Sequence, residues 1–223
     1  MLGGIIKRLY YLLLTYPMRL NGWFYKNFKC PQSGLKVHLG PGKINYIDNW
    51  LNVDANLVTA KVDLWCNLLD PLPFRKGSVD IFYSHHVIEH LPDSHLIVHF
   101  RQMFEALRPG GVIRVGGPHL GNACRKYVEG DHQWFTHYPD DRKSIGGRFT
   151  NFIFCRGEHV TAFDESYLAE VAEQCGFVDF SFPLPVKETK LAEEGITEAV
   201  LSKEYESRFD CPHTVILEAR KPE

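Results

Sequence analysis

The sequence predicts an α/β fold built on one doubly wound, largely parallel sheet. Three observations carry that expectation. Short apolar runs alternate with amphipathic helical stretches across residues 34–223. The first run leads straight into Gly40-Pro41-Gly42, and the second and third runs each end near an acid, Asp54 and Asp63. In such sheets ligands bind beyond the carboxyl ends of the strands, where a glycine turn lets the backbone come close.

The chain has 223 residues, which suits one core with decorations. Strands are expected over 36–39, 50–55, 61–64, 79–84, 112–115, 177–182 and 213–219. Residues 94–107 place Leu96, Ile97, Phe100, Met103, Phe104 and Leu107 at helical spacing, and Pro109-Gly110-Gly111 stops the pattern. A second helix is expected over 165–175, closed by Gly176, and 187–209 is charged and helix-compatible.

Residues 1–33 read as a basic, apolar helical extension, with 34–223 as the main domain. Of the 25 basic side chains seven lie within residues 1–47, and none of the 27 acidic ones does, so that segment carries +7 and the rest −9. Ile5, Ile6, Leu9, Leu12, Leu13, Leu14, Trp23, Phe24 and Phe28 share the segment with Lys7 and Arg8. The apolar run is far shorter than the ~20 residues that cross a bilayer, and no small-x-small cleavage site follows it. The expectation is a helix packed on the domain or, alternatively, an interfacial anchor making peripheral membrane contact. The six cysteines include no Cys-x-x-Cys pair, so a zinc ribbon is not expected and a reducing, cytoplasmic setting is.

Gly40 and Gly42 leave no side chain between backbone and ligand, and Asp54 at a strand end can accept hydrogen bonds from both hydroxyls of a ribose. Asp63 could meet an adenine amino group while Leu64 packs on the ring. A nicotinamide dinucleotide fits poorly: Asn45 stands where a third glycine belongs, and only about ten residues separate Gly40 from Trp50.

Read in order, His38-Leu39-Gly40-Pro41-Gly42, Trp50-Leu51-Asn52-Val53-Asp54, Asp63-Leu64, Leu72-Pro73-Phe74, Ser78-Val79-Asp80-Ile81, His86 to Leu91 and Leu107 to Gly111 resemble the type 11-like class I methyltransferases. His159, Phe163-Asp164 and Cys175-Gly176-Phe177 continue the likeness, which spans roughly residues 36–182. The resemblance implies a Rossmann-like, seven-stranded sheet with its last strand antiparallel and helices on both faces. It implies S-adenosylmethionine as cofactor, held by Leu39, Gly40, Pro41, Gly42, Asp54, Ala55, Asp63, Leu64, Ser84 and His85. Two positions depart from the pattern: His38 replaces an acid before the first glycine, and the third glycine is missing. The connection to the second strand is also shorter than a regular crossover helix.

His86-Val87-Ile88-Glu89-His90 spells His-x-x-Glu-His, a string also found in zinc hydrolases. Its position directly after a strand favours the methyltransferase order, so no resident metal is expected and the hydrolase through His86, Glu89 and His90 is the weaker alternative. Methyl transfer to a hydroxyl needs a proton acceptor, and His86, His90 and His159 are the catalytic candidates. No Asn/Asp-Pro-Pro-Tyr motif is present and the main body is acidic, which disfavours nucleic acid as partner. Gly130 to Tyr138, with Asp131, His132, Trp134, Phe135 and His137, suggests a polar, aromatic wall for a small-molecule acceptor, such as a sugar or a glycan-lipid intermediate. The competing class is a non-catalytic cofactor-binding or partner-binding protein of the same fold.

Overall fold

The computed structural model describes the backbone of residues 2–223 and the side chains of residues 9–223. Its frame is a seven-stranded sheet made of β1 (Leu35–Leu39), β2 (Leu51–Asp54), β3 (Leu64–Trp65), β4 (Val79–His85), β5 (Leu107–Pro118), β6 (Val178–Ser181) and β7 (Thr214–Arg220). The strands lie in the order β3-β2-β1-β4-β5-β7-β6. β7 runs antiparallel to both β5 and β6, and the strands from β3 to β5 are parallel. The order reverses between β1 and β4, which places the crevice of a doubly wound sheet just beyond Leu39 and Ser84.

One face of the sheet is covered by α2 (Asp93–Ala106) and α5 (Glu165–Gln174). The spacing read from the sequence buries Leu96, Phe100 and Met103 of α2 against Leu168, Val171 and Phe177. The helix stops at Ala106, and Leu107 already belongs to β5, so the Pro-Gly-Gly turn lies inside the strand's first residues and not after the helix. The other face is covered mostly by irregular chain. Residues 187–209 form only the short α6 (Glu198–Leu201), and Leu191, Ile196, Val200 and Leu201 pack on Ile47, Trp50, Ile81, Tyr83 and Val112.

That helix-poor face is tied down by charge. Arg114, fully buried on β5, donates from Nε and Nη2 to both oxygens of Glu204 at 2.7 and 2.8 Å, and from Nη1 to Glu218 of β7 at 2.5 Å. Nη1 also donates to the Glu188 carbonyl. One guanidinium thus gathers three segments, a geometry that only a planar five-donor fork supplies.

The N-terminal segment forms α1 (Leu2–Phe24), which continues through Pro17. It lies on the β3 edge as part of the body. Met18 is buried, the Tyr10 hydroxyl donates to the Ala55 carbonyl at 2.6 Å, Asn21 donates to the Trp65 carbonyl, and Arg19 pairs with Asp70 at 2.7 Å. The side chains of Ile5, Ile6, Lys7 and Arg8 lie outside the described residues. No helix among the described residues is long and apolar enough to cross a membrane.

A small third layer, α3 (Leu120–Val128) and α4 (Ile145–Phe154), stands beyond the carboxyl end of β5. Trp134 and Phe135, expected in an acceptor wall, instead fill the interior of this layer with Phe152 and Ile153. Their rings are almost completely buried, and the Trp134 indole donates to the Cys211 carbonyl. Large aromatics gain most from such burial, which explains why a polar-looking segment turns them inward.

Candidate active site

β1 delivers the chain to Gly40 with φ +71, and a Cβ there would lie 2.3 Å from Val87 Cγ2. Glycine is therefore needed both for the left-handed backbone and for the approach of the β4 end. Gly42 has φ +55 and open space where its Cβ would point. Its N–H donates to Asp54 Oδ2 at 3.2 Å, and Oδ1 accepts from Asn56 N–H at 2.9 Å. The Asp54 carboxylate is thus held at the β2 end beside an uncovered glycine turn.

The short connection between β1 and β2 works without a helix because Asn52 pins it. Its Oδ1 accepts from the Ile47 N–H and its Nδ2 donates to the carbonyls of Ile47 and Trp50. Oδ1 also faces His38 Nδ1 at 3.0 Å, so that nitrogen carries the proton. Burial pushes the His38 pKa down to about 4 against the raising effect of the Asn52 hydrogen bond, leaving a neutral imidazole where the family pattern has an acid.

Asp63 lies level with Asn52, just before β3 begins. Its Oδ2 accepts from the Asn52 N–H and Nδ2, and its Oδ1 from the Tyr46 hydroxyl at 2.8 Å. These bonds make it a brace for β2 and the connecting loop. Leu64 is buried in the core. β3 ends at Trp65, and the buried Cys66 and then Asn67 follow it. Leu39 and Pro41 are likewise buried, so they reach a ligand only through backbone. Ala55 presents its carbonyl to Tyr10 and to the Trp65 indole. The next residue of α1, Tyr11, has its hydroxyl pKa raised by burial and then by the Asp54 charge, which puts α1 alongside the same carboxylate.

At the β4 end Ser84 Oγ and His85 Nδ1 are buried and have no hydrogen-bond partner among the described residues. His85 Nε2 accepts from the Tyr205 N–H at 3.3 Å, which places the ring proton on Nδ1. Burial holds the His85 pKa well below its ordinary value. A buried donor and a buried hydroxyl left unpaired are costly unless a ligand completes them.

His86 follows in a left-handed conformation, φ +54, uncommon for a residue with a side chain. Its Nδ1 lies 3.1 Å from Glu89 Oε1 and its Nε2 3.1 Å from Thr214 Oγ1. Glu89 and His90 sit in a single 3-10 turn, Ile88–His90, not in a regular helix. His86 therefore turns away from the facing arrangement a zinc-hydrolase helix would need. Glu89 is buried; desolvation alone would raise its pKa, but the hydrogen bond and charge of His86, with His90 adding, bring it below the usual carboxylate range. The close approach of Gly117 leaves room for this carboxylate, since a Cβ there would come 3.0 Å from Glu89 Oε2.

His86 and Glu89 open onto a cavity of about 840 Å³ between the strand ends and the third layer, with Tyr138, His159, Tyr205 and Thr214 in its wall. Gly40, Gly42 and Asp54 are not in that wall. His86 in the cavity wall is followed by Val87, which packs against Gly40 of the glycine turn, and preceded by His85, whose ring packs edge-on against it with centroids 4.5 Å apart.

Residues 38–115 match the family model described as a methyltransferase domain. By fold the chain is similar to a SAM-dependent methyltransferase of Archaeoglobus fulgidus, at 14% identity and TM-score 0.53 over 95% of this chain and 100% of that one. It is also similar to a chain from the complex of a Haloferax volcanii methyltransferase with a methyltransferase activator, at 16% identity and TM-score 0.51 over 93% of each. No curated protein matches the sequence. Residues 38–115 thus carry the signature of a methyltransferase domain, set in a fold that the chain shares with SAM-dependent methyltransferases.

S-adenosylmethionine is the cofactor of this methyltransferase family. The residues present fit it: Gly42 leaves open space, Asp54 offers a carboxylate, and Ser84 Oγ and His85 Nδ1 supply unpaired polar atoms on the other side of the crevice. The cavity also draws on Tyr138, the end of the segment expected to wall an acceptor pocket, and on Tyr205 and Thr214, which are not visible as site residues in the sequence. Tyr205 and Thr214 stand about 120 to 130 residues from His86 along the chain, and no local spacing signals that they meet it.

Proposed function

We propose that the chain transfers the methyl group of S-adenosylmethionine to a hydroxyl of a small molecule, such as a sugar or a glycan-lipid intermediate. The observation that carries this reading is the polar-aromatic cavity at the β4 end, where His86 in its wall packs against His85. The cofactor brings an activated methyl on its sulfonium, so the chain's task is alignment and care of the hydroxyl proton. Of the three catalytic candidates, His86 has the supporting geometry. Glu89 accepts from Nδ1–H and leaves Nε2 as an acceptor, now facing Thr214. An acceptor hydroxyl that displaces the Thr214 contact would meet that lone pair.

Incubation with methyl-labelled S-adenosylmethionine and a panel of hydroxylated acceptors tests this. Label should appear in one acceptor class, and His86→Gln should lower kcat about 100-fold with the KM for cofactor little changed. Cofactor binding without transfer to any member of the panel would replace this reading with the non-catalytic one.

The same proposal places the protein at an anionic lipid surface. Leu9, Leu12, Leu13, Tyr16, Leu20 and Trp23 recur at helical spacing along α1, and all are exposed, as is Phe28 after it. Such a stripe normally faces a core. Here it faces outward beside exposed Lys26 and Lys29, in a segment without acids. Vesicle flotation should recover the intact chain with vesicles containing anionic phospholipid and much less with zwitterionic ones. The Leu12→Glu, Leu20→Glu double variant, altered only at exposed positions, should stay in solution; equal flotation of both proteins would exclude the surface.

A further inference from the structure

We infer that Glu89, His90 and His159 form a binding site for one divalent transition-metal ion, zinc being the best match to the donor set. One potential ligand atom from each lies within 4.8 Å of the others, although Glu89-His90 and His159 are far apart in the chain. Glu89 Oε1 is 3.9 Å from His159 Nε2, and the two imidazole centroids are 5.0 Å apart.

Proximity alone would not carry this; the state of each donor does. His90 Nδ1 is 2.8 Å from the Glu158 carbonyl and His159 Nδ1 is 3.1 Å from the Ile153 carbonyl. A carbonyl only accepts, so both Nδ1 atoms carry the proton in the neutral ring and both Nε2 atoms keep a lone pair. Metal-binding histidines are oriented in this way, with the far nitrogen fixed by a backbone or carboxylate acceptor. Glu89 is 1% exposed, and its Oε2 is buried with no hydrogen-bond partner among the described residues. Its other oxygen meets His86, so the carboxylate is oriented as well as buried.

Two imidazoles and a carboxylate are a familiar zinc donor set, and three protein ligands leave a position open. Here that position would open into the cavity, which all three residues line. Zinc–ligand bonds of about 2.0–2.2 Å put donors roughly 3.4 Å apart, so closure needs side-chain shifts on the order of 1 Å. The site differs from the hydrolase string read in the sequence: Glu89 is a ligand and not a base, and His159 takes the place of His86.

This inference does not depend on methyl transfer, because its readout is metal binding. The full chain, stripped with chelator, is titrated with zinc against a chromogenic competitor, and separately with cobalt(II) while visible absorption is recorded. One equivalent should bind tightly, and cobalt should show nitrogen- and oxygen-ligated d–d bands without thiolate charge transfer. His159→Gln and His90→Gln should each weaken zinc binding by about 100-fold or more, beyond the ~10–100-fold typical of outer-shell changes. Retained S-adenosylmethionine binding would show that each variant is folded. Cys124→Ser removes the exposed thiol and should change nothing. Weak, multiple zinc binding, thiolate bands, or unchanged affinity in folded His159→Gln would each overturn the site.

Discussion

Asp54→Ala is expected to abolish detectable S-adenosylmethionine binding in calorimetric titration. A carboxylate that accepts from two ribose hydroxyls makes two charge-assisted hydrogen bonds, each worth about 1.5–3 kcal/mol. Their joint loss corresponds to roughly 10²–10⁴ in affinity. The same carboxylate accepts from the N–H groups of Gly42 and Asn56, so its removal also frees the glycine turn that the cofactor must meet. Asp63→Ala supplies the contrast. Its carboxylate bonds to Asn52 and Tyr46, so the variant should lose stability first and affinity only secondarily. If Asp54→Ala bound the cofactor as the intact chain does, the ribose contact would have to be sought elsewhere, with Asn56 the nearest polar side chain to examine.

Arg114→Met should be the most destabilising single change away from the crevice, costing about 3–5 kcal/mol in urea unfolding. The cause is what remains. Glu204 and Glu218 are each buried, and without the guanidinium two carboxylates would share a low-dielectric space. Folded-state burial would then raise their pKa values, so the defect should shrink as pH falls toward the carboxylate range, the direction expected when the native state binds more protons than the unfolded one. Arg114→Met combined with Glu204→Gln and Glu218→Gln should recover part of the loss. Glutamine can still accept from the N–H groups of Val186 and Lys190, which the glutamates now serve. A loss below about 1 kcal/mol for the single variant would show that water reaches the pair.

Much of the fold was legible because periodicity and turn chemistry are local. Alternating strands and helices, the α2 stripe from Leu96 to Met103, and Gly40-Pro41-Gly42 before a strand ending in Asp54 all lie within short windows, where burial and backbone freedom leave a mark on residue type. Boundaries drifted where tertiary contacts compete with propensity. Residues 187–209 have helix-compatible composition, yet the pull of Arg114 on Glu204 and the Glu188 carbonyl keeps most of the segment irregular.

The candidate site divides the same way. The amino-acid order alone determined the doubly wound sheet, the glycine turn, Asp54, and the presence of histidines after β4, because each depends on neighbours in the chain. Only the tertiary structure decided that Trp134 and Phe135 turn inward, that α1 leans its tyrosines on the Asp54 loop, and that His159 joins Glu89 and His90. It also decided that His86 adopts a left-handed backbone and meets Thr214, 128 residues away. Such contacts are set by how remote segments close over one core, and sequence spacing carries no record of that closure.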